Sequence, residues 1–125
     1  MATKSTSENR FTVVRAREAL AFVDGDEAVK LYFNTQKILF AIQDLPPGGK
    51  TPMDPGQPGV YVEYVAEGEA IFQAGDDSDE TIWLYEGDAV LVREGLPHKV
   101  HNPTAKLSRV ILALAPGMTE VKHAG

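Results

Sequence analysis

Hydrophobic and polar positions alternate along this chain in short bursts, not in helical stripes. Runs rich in β-branched and aromatic residues cover 11–14, 29–33, 37–43, 60–65, 70–73, 81–85, 89–92, 98–101 and 107–113. Between them stand turn-forming clusters such as Pro46-Pro47-Gly48-Gly49, Pro55-Gly56-Gln57-Pro58-Gly59 and Glu86-Gly87-Asp88. Strands recurring about every 8–12 residues with such punctuation predict an antiparallel sandwich or barrel. Only the segment 15–22 has helix-forming composition, and it is short. The fold class read from this pattern is all-β. Within it, residues 63–72 predict a tight hairpin whose corner falls at Glu67-Gly68, with Gly68 supplying the positive φ such a corner needs. A period of two places Tyr61, Glu63 and Val65 on one face of their strand. It likewise groups His98, Val100 and Asn102, leaving His101 on the opposite face.

Length and charge narrow the picture. The chain has 125 residues, enough for one domain, expected over 11–117 with a flexible segment over 1–10 and a tail over 118–125. Twelve basic against eighteen acidic residues give a formal charge of −6. That balance argues against nucleic acid or an anionic membrane as partner, because both need a basic footprint. Cysteine is absent, which removes disulfides, thiolate metal sites and cysteine nucleophiles. No apolar run approaches the roughly 20 residues that cross a membrane. The polar N-terminus lacks a signal peptide's apolar middle, so a cytoplasmic location is expected. Asp76, Asp77, Asp79 and Glu80 read as a solvated hairpin tip, without the oxygen spacing of a calcium loop. The P-loop, the dinucleotide-binding glycine pattern and the Gly-x-Ser-x-Gly elbow are all missing.

One segment resembles a known family. Gly87, Gly95, His98 and Asn102 keep the spacing of the second cupin motif, G-x5-P-x-G-x2-H-x3-N, with Arg93 where the proline stands. The first motif, G-x5-H-x-H-x(3,4)-E-x6-G, is partly kept: Gly68 fits its terminal glycine, and Pro46 to Pro52 fits the approach to the metal-binding loop. Over about residues 36–117 the chain is thus similar to a small single-domain cupin. The resemblance implies a double-stranded β-helix (a jelly-roll, RmlC-like barrel), a homodimer, and a pocket in the barrel mouth.

The departures bear on chemistry. Seven residues before Gly68, where the family has its glutamate ligand, stands Tyr61, and the loop from Asp54 to Gln57 has none of the expected histidines. The whole chain holds only His98, His101 and His123. One imidazole among oxygens such as Asp54, Gln57, Tyr61 and Glu63 is a weak set for zinc, iron or nickel. No metal and no other cofactor is therefore expected. The family spacing sets His98 and Tyr61 across the pocket from one another with Glu63 beside them. These three are the expected catalytic groups, with Asp54, Gln57, Trp83 and Asn102 as expected substrate-binding residues. A desolvated carboxyl, an imidazole and a phenol suit proton transfer next to a carbonyl: isomerisation, epimerisation, cyclisation or elimination of a small polar metabolite. Two alternatives stand beside this: a non-catalytic small-molecule-binding cupin, and a cryptic metallo-cupin, a dioxygenase or lyase, using His98 with oxygen ligands.

Overall fold

The computed structural model describes residues 10–75 and 80–118. After a 3-10 turn at Ala16–Glu18, the described residues form β1 (Leu20–Asp24), β2 (Glu27–Asn34), β3 (Leu39–Leu45), β4 (Val60–Glu67), β5 (Ala70–Ala74), β6 (Glu80–Leu84), β7 (Ala89–Val92), β8 (His98–His101) and β9 (Ser108–Ala115). All pair antiparallel, in a six-stranded sheet ordered β1-β2-β3-β9-β4-β7 and a three-stranded sheet ordered β6-β5-β8. Facing one another, the sheets make the all-β jelly roll expected from the sequence. No helix is long and apolar enough to cross a membrane among the described residues.

The two ends of the barrel differ. At one end Leu45, Val65 and Val110 of the large sheet meet Ala70, Phe72, Leu84 and Val100, and these side chains fill the interior. At the other end the apolar cluster of Val29, Leu39, Ala41, Tyr61, Val92, Leu112 and Leu114 belongs wholly to the large sheet. There the loop after β3 covers the opening. Isolated bridges Lys50↔His101 and Asp54↔His98 lay this loop along β8, and Val100 N donates to Thr51 Oγ1 at 2.9 Å. A cavity of about 290 Å³ remains beneath it.

Four local expectations are corrected. The segment 11–14 is not a strand. Residues 15–22 do not form an α-helix: only Ala16–Glu18 turn, and Leu20 onward pairs with β2. So short a segment is a marginal helix, and the two-residue connection Gly25-Asp26, with Gly25 at φ 64, closes a hairpin that gives Leu20–Asp24 a partner strand. The corner at Glu67-Gly68 exists, with Gly68 at φ 78, but it does not join a hairpin. β4 pairs with β7 and β9, whereas β5 pairs with β6 and β8, so the corner carries the chain from one sheet to the other. A Cβ at Gly68 would collide with the Leu107 carbonyl oxygen. Met118, placed in the tail from sequence, packs against the core cluster at the open end, and its N donates to Asn34 Oδ1 at 3.0 Å. The remaining expected ends (1–9 and 119–125, with His123) and Asp76, Asp77 and Asp79 lie outside the described residues.

Candidate active site

Strand alternation builds the cavity. Along β4, Tyr61, Glu63 and Val65 are buried while Val62 and Tyr64 face outward. On β8, His98 and Val100 point in. Asp54 and His98 exchange both backbone hydrogen bonds, Asp54 N to His98 O at 2.8 Å and His98 N to Asp54 O at 3.0 Å. Those paired bonds seat the loop carboxylate beside the strand imidazole. The loop comes this close because Gly56, at φ 102, packs against the backbone of Gly95; a Cβ there would stand 2.6 Å from the Gly95 carbonyl carbon and oxygen.

Two side-chain pairs result. His98 Nε2 lies 3.4 Å from Glu63 Oε2, and His98 Nδ1 lies 3.1 Å from the Leu96 carbonyl oxygen. A carbonyl only accepts, so Nδ1 carries a proton. A bare Nε2 would then turn its lone pair toward a carboxylate, which favours a second proton on the ring. Burial alone would lower the His98 pKa, but the Glu63 hydrogen bond and charge, with smaller help from the Leu96 carbonyl and Asp54, raise it above the usual 6.5. The second pair is Tyr61 and Asp54: the phenol donates to Asp54 Oδ2 at 2.7 Å. Gly56 N and Gln57 Nε2 donate to Asp54 Oδ1 at 2.8 and 3.2 Å. Burial, then the Asp54 hydrogen bond and nearby carboxylates, push the phenol's pKa far up, so Tyr61 stays protonated. The Tyr61 and His98 rings meet edge to face with centroids 5.2 Å apart.

A third group escaped the sequence reading. Glu27 on β2 is 4% exposed and lines the cavity. Burial, reinforced by the charges of Asp24 and Glu63, pushes its pKa up to about 7. Its signal is available in the chain: Glu27, Val29 and Leu31 share the period-two face, but a strand starting at residue 29 leaves Glu27 outside it. Glu27 Oε1 and Glu63 Oε1 are buried without a hydrogen-bond partner among the described residues.

His98, Tyr61, Glu63 and Asp54 therefore meet around one cavity. Gln57 stands behind Asp54 as its hydrogen-bond donor. Two expected substrate-binding residues lie elsewhere. Trp83 is half exposed on β6, stacked on Tyr85, with Nε1 donating to Glu69 Oε1 at 2.9 Å. The strand's outward parity puts it there. Asn102 is fully buried, but its amide donates to the carbonyls of Leu45, Pro46 and Lys106 while its Oδ1 accepts from Thr104. It ties two loops together and does not line the cavity.

The donors do not fit a first-row transition metal. Such an ion wants several imidazoles, and this cavity offers one, already engaged at Nδ1 by a carbonyl and facing Glu63 at Nε2. No group of three or more His, Cys, Asp or Glu suited to a metal occurs among the described residues.

Comparison with known proteins agrees with this architecture. The jelly roll superposes on an RmlC-like cupin from Shewanella frigidimarina NCIMB 400 with a TM-score of 0.73 and 15% identity, covering 91% of this chain and 96% of that one. A predicted oxalate decarboxylase from Thermotoga maritima gives 0.68 and 20%, with 83% and 98% covered. Drosophila melanogaster CENP-C, solved bound to CAL1, gives 0.68 and 18%, with 82% and 84% covered. Identities this low speak for the fold alone. No curated protein sequence matches the chain. The family model for the cupin domain matches residues 41–114, which is more than half of the chain, and with the barrel and its motif glycines in place this protein belongs to the cupin family.

Proposed function

We propose that this cupin is a metal-independent enzyme performing acid–base chemistry on a small polar, carbonyl-containing metabolite. The observation carrying this reading is the His98–Glu63 pair, buried in a cavity with free carboxylate oxygens on Glu63 and Glu27. In this reading a carboxylate of Glu63 or Glu27 removes a proton from the carbon next to the carbonyl. The electron pair moves to the carbonyl oxygen, which the His98 imidazolium meets as hydrogen-bond or proton donor. Return of the proton to the other face or a neighbouring carbon gives an isomer; departure of a β-substituent gives elimination. A base with a pKa near the working pH, as Glu27 has, is the efficient choice, and groups of this kind contribute roughly 10²–10⁴-fold each. Tyr61, locked onto Asp54, positions the wall against which His98 rests.

Exchange of a substrate proton for deuterium tests this before any product is identified. Intact protein is incubated in D₂O with a panel of small hydroxy-, amino- and keto-carbonyl compounds, and loss of the α-proton signal is followed by NMR. The reading expects exchange with at least one compound, abolished in His98→Ala and Glu63→Gln. Equal exchange in both variants, or binding of compounds of which none exchanges, overturns it; the latter outcome favours the non-catalytic binding cupin.

A homodimer belongs to the same proposal. Val62 and Leu91 are register partners at 48% and 65% exposure, and with Tyr64 they leave an apolar outer face on the large sheet. Contiguous exposed apolar surface of this kind marks an interaction site. Sedimentation of wild type as a dimer, and of Leu91→Glu as a monomer, is expected; a monomeric wild type contradicts it.

A further inference from the structure

The charge of the cavity has a direction. Asp24, Glu27, Asp54 and Glu63 line it, His98 is the one basic side chain among its lining residues, and no Lys or Arg is present there. The lining is net acidic whichever way His98 is protonated. Two of these carboxylates, 4% and 2% exposed, each keep one buried oxygen without a partner among the described residues. Buried polar atoms are nearly always satisfied, and exceptions gathered at one cavity mark it as a place where a ligand's donors would be held. The cavity of about 290 Å³ stands at the lower end of the usual range for ligand sites, and a small ligand seated in it would bring donors to both residues. Between the carboxylates the walls are apolar, including Val29, Leu31, Leu39 and Leu112.

We propose that the ligand of this cavity is a small organic cation, a protonated amine on a compact apolar or carbonyl-bearing body, whose N–H donors are shared by Glu27 and Glu63. The inference rests on the proposed function only in taking the same cavity as the site; it adds the class of substrate. A carboxylate or phosphate ligand would face the acidic lining with one imidazole to receive it. A hard metal ion would need six or more converging oxygens, and no group suited to a metal occurs among the described residues. Burial and the charges of Asp24 and Glu63 disfavour ionised Glu27, and a cation between the acids relieves that repulsion.

Three ring compounds differing only in head group decide it: cyclohexylamine, cyclohexanol and cyclohexanecarboxylate, titrated into the intact protein near pH 8 and followed by amide NMR and calorimetry. The amine binds, shifting the amides of Glu27, Glu63 and His98. The alcohol binds at least about tenfold more weakly, and the carboxylate shows no saturable binding to about 10 mM. In Glu27→Gln, checked for a native spectrum, the amine loses about tenfold in affinity. If that variant does not fold, the ranking of the three probes in wild type still decides. Carboxylate binding as tight as the amine's, no amine binding, or unchanged amine affinity in a folded Glu27→Gln overturns the inference. Amine selectivity without α-proton exchange would sink only the enzymatic reading. Exchange confined to anionic compounds would sink only the inference.

Discussion

Removing the charge of Glu27 should stabilise the protein, and only above acidic pH. In the unfolded chain this carboxyl ionises near 4.5, whereas in the barrel it ionises near 7. Between those values the folded protein holds a proton that the unfolded chain has released, so stability falls as pH rises through the window and stays low above it. Below about 4.5 both states are protonated and the difference vanishes. Lifting a carboxyl this far corresponds to about 3 kcal/mol, at about 1.4 kcal/mol per factor of ten in the proton equilibrium. Solvent reaching the cavity mouth trims this to about 2 kcal/mol. Glu27→Gln keeps the shape of the protonated acid and cannot ionise. Its advantage over wild type should grow from near zero at about pH 4.5 to about 2 kcal/mol near pH 8, a shift of about 1 M in the urea midpoint. Urea titrations of both proteins across this range measure it. A variant no more stable than wild type near pH 8, or a gap that does not widen with pH, refutes the reasoning. A stabilising substitution at a cavity residue is what a strained functional site produces.

Other substitutions separate site from scaffold. Gly56→Ala introduces a Cβ that meets the Gly95 backbone at a positive φ. It should cost about 1–3 kcal/mol by urea denaturation and weaken amine binding by displacing Asp54; unchanged stability would mean that the loop does not pack so closely. Asn102→Ala leaves the carbonyls of Leu45, Pro46 and Lys106 without their donor. A loss of about 2–4 kcal/mol is expected, with amine binding unaltered in the folded fraction, and altered affinity there would give Asn102 a role at the cavity. Trp83→Ala should leave both binding and α-proton exchange unchanged, since the indole stacks outside the barrel; a loss of either would place a substrate contact on β6.

Where the sequence alternates strictly, it revealed the structure well. β7 and β8 begin and end at the expected residues; period two groups Tyr61 with Glu63 and His98 with Val100, and the resemblance to cupins is what turns those faces inward, as their burial shows. The misses have physical causes. Leu20–Asp24 is exposed along its whole length, so no buried face marked it, and pairing to β2 outweighed its helical composition. The change of sheet at Gly68 is invisible locally, because a tight corner looks the same whether its strands pair or part. Asn102 reads as a substrate contact because a buried amide tying loops and one touching substrate leave the same trace in sequence; in the structure its amide serves the carbonyls of Leu45, Pro46 and Lys106. The partnership of Asp54 with Tyr61 depends on a loop path fixed by Gly56 against Gly95, a contact between segments far apart in the chain.

The protonation of His98 tests the central claim most directly. Nitrogen-15 NMR of the imidazole near pH 6.5, where an ordinary histidine is half charged, should find both ring nitrogens of wild-type His98 mostly protonated, and mostly unprotonated Nε2 in Glu63→Gln, where burial prevails. A neutral ring in wild type, or a charged one that survives loss of the Glu63 carboxylate, would contradict the account.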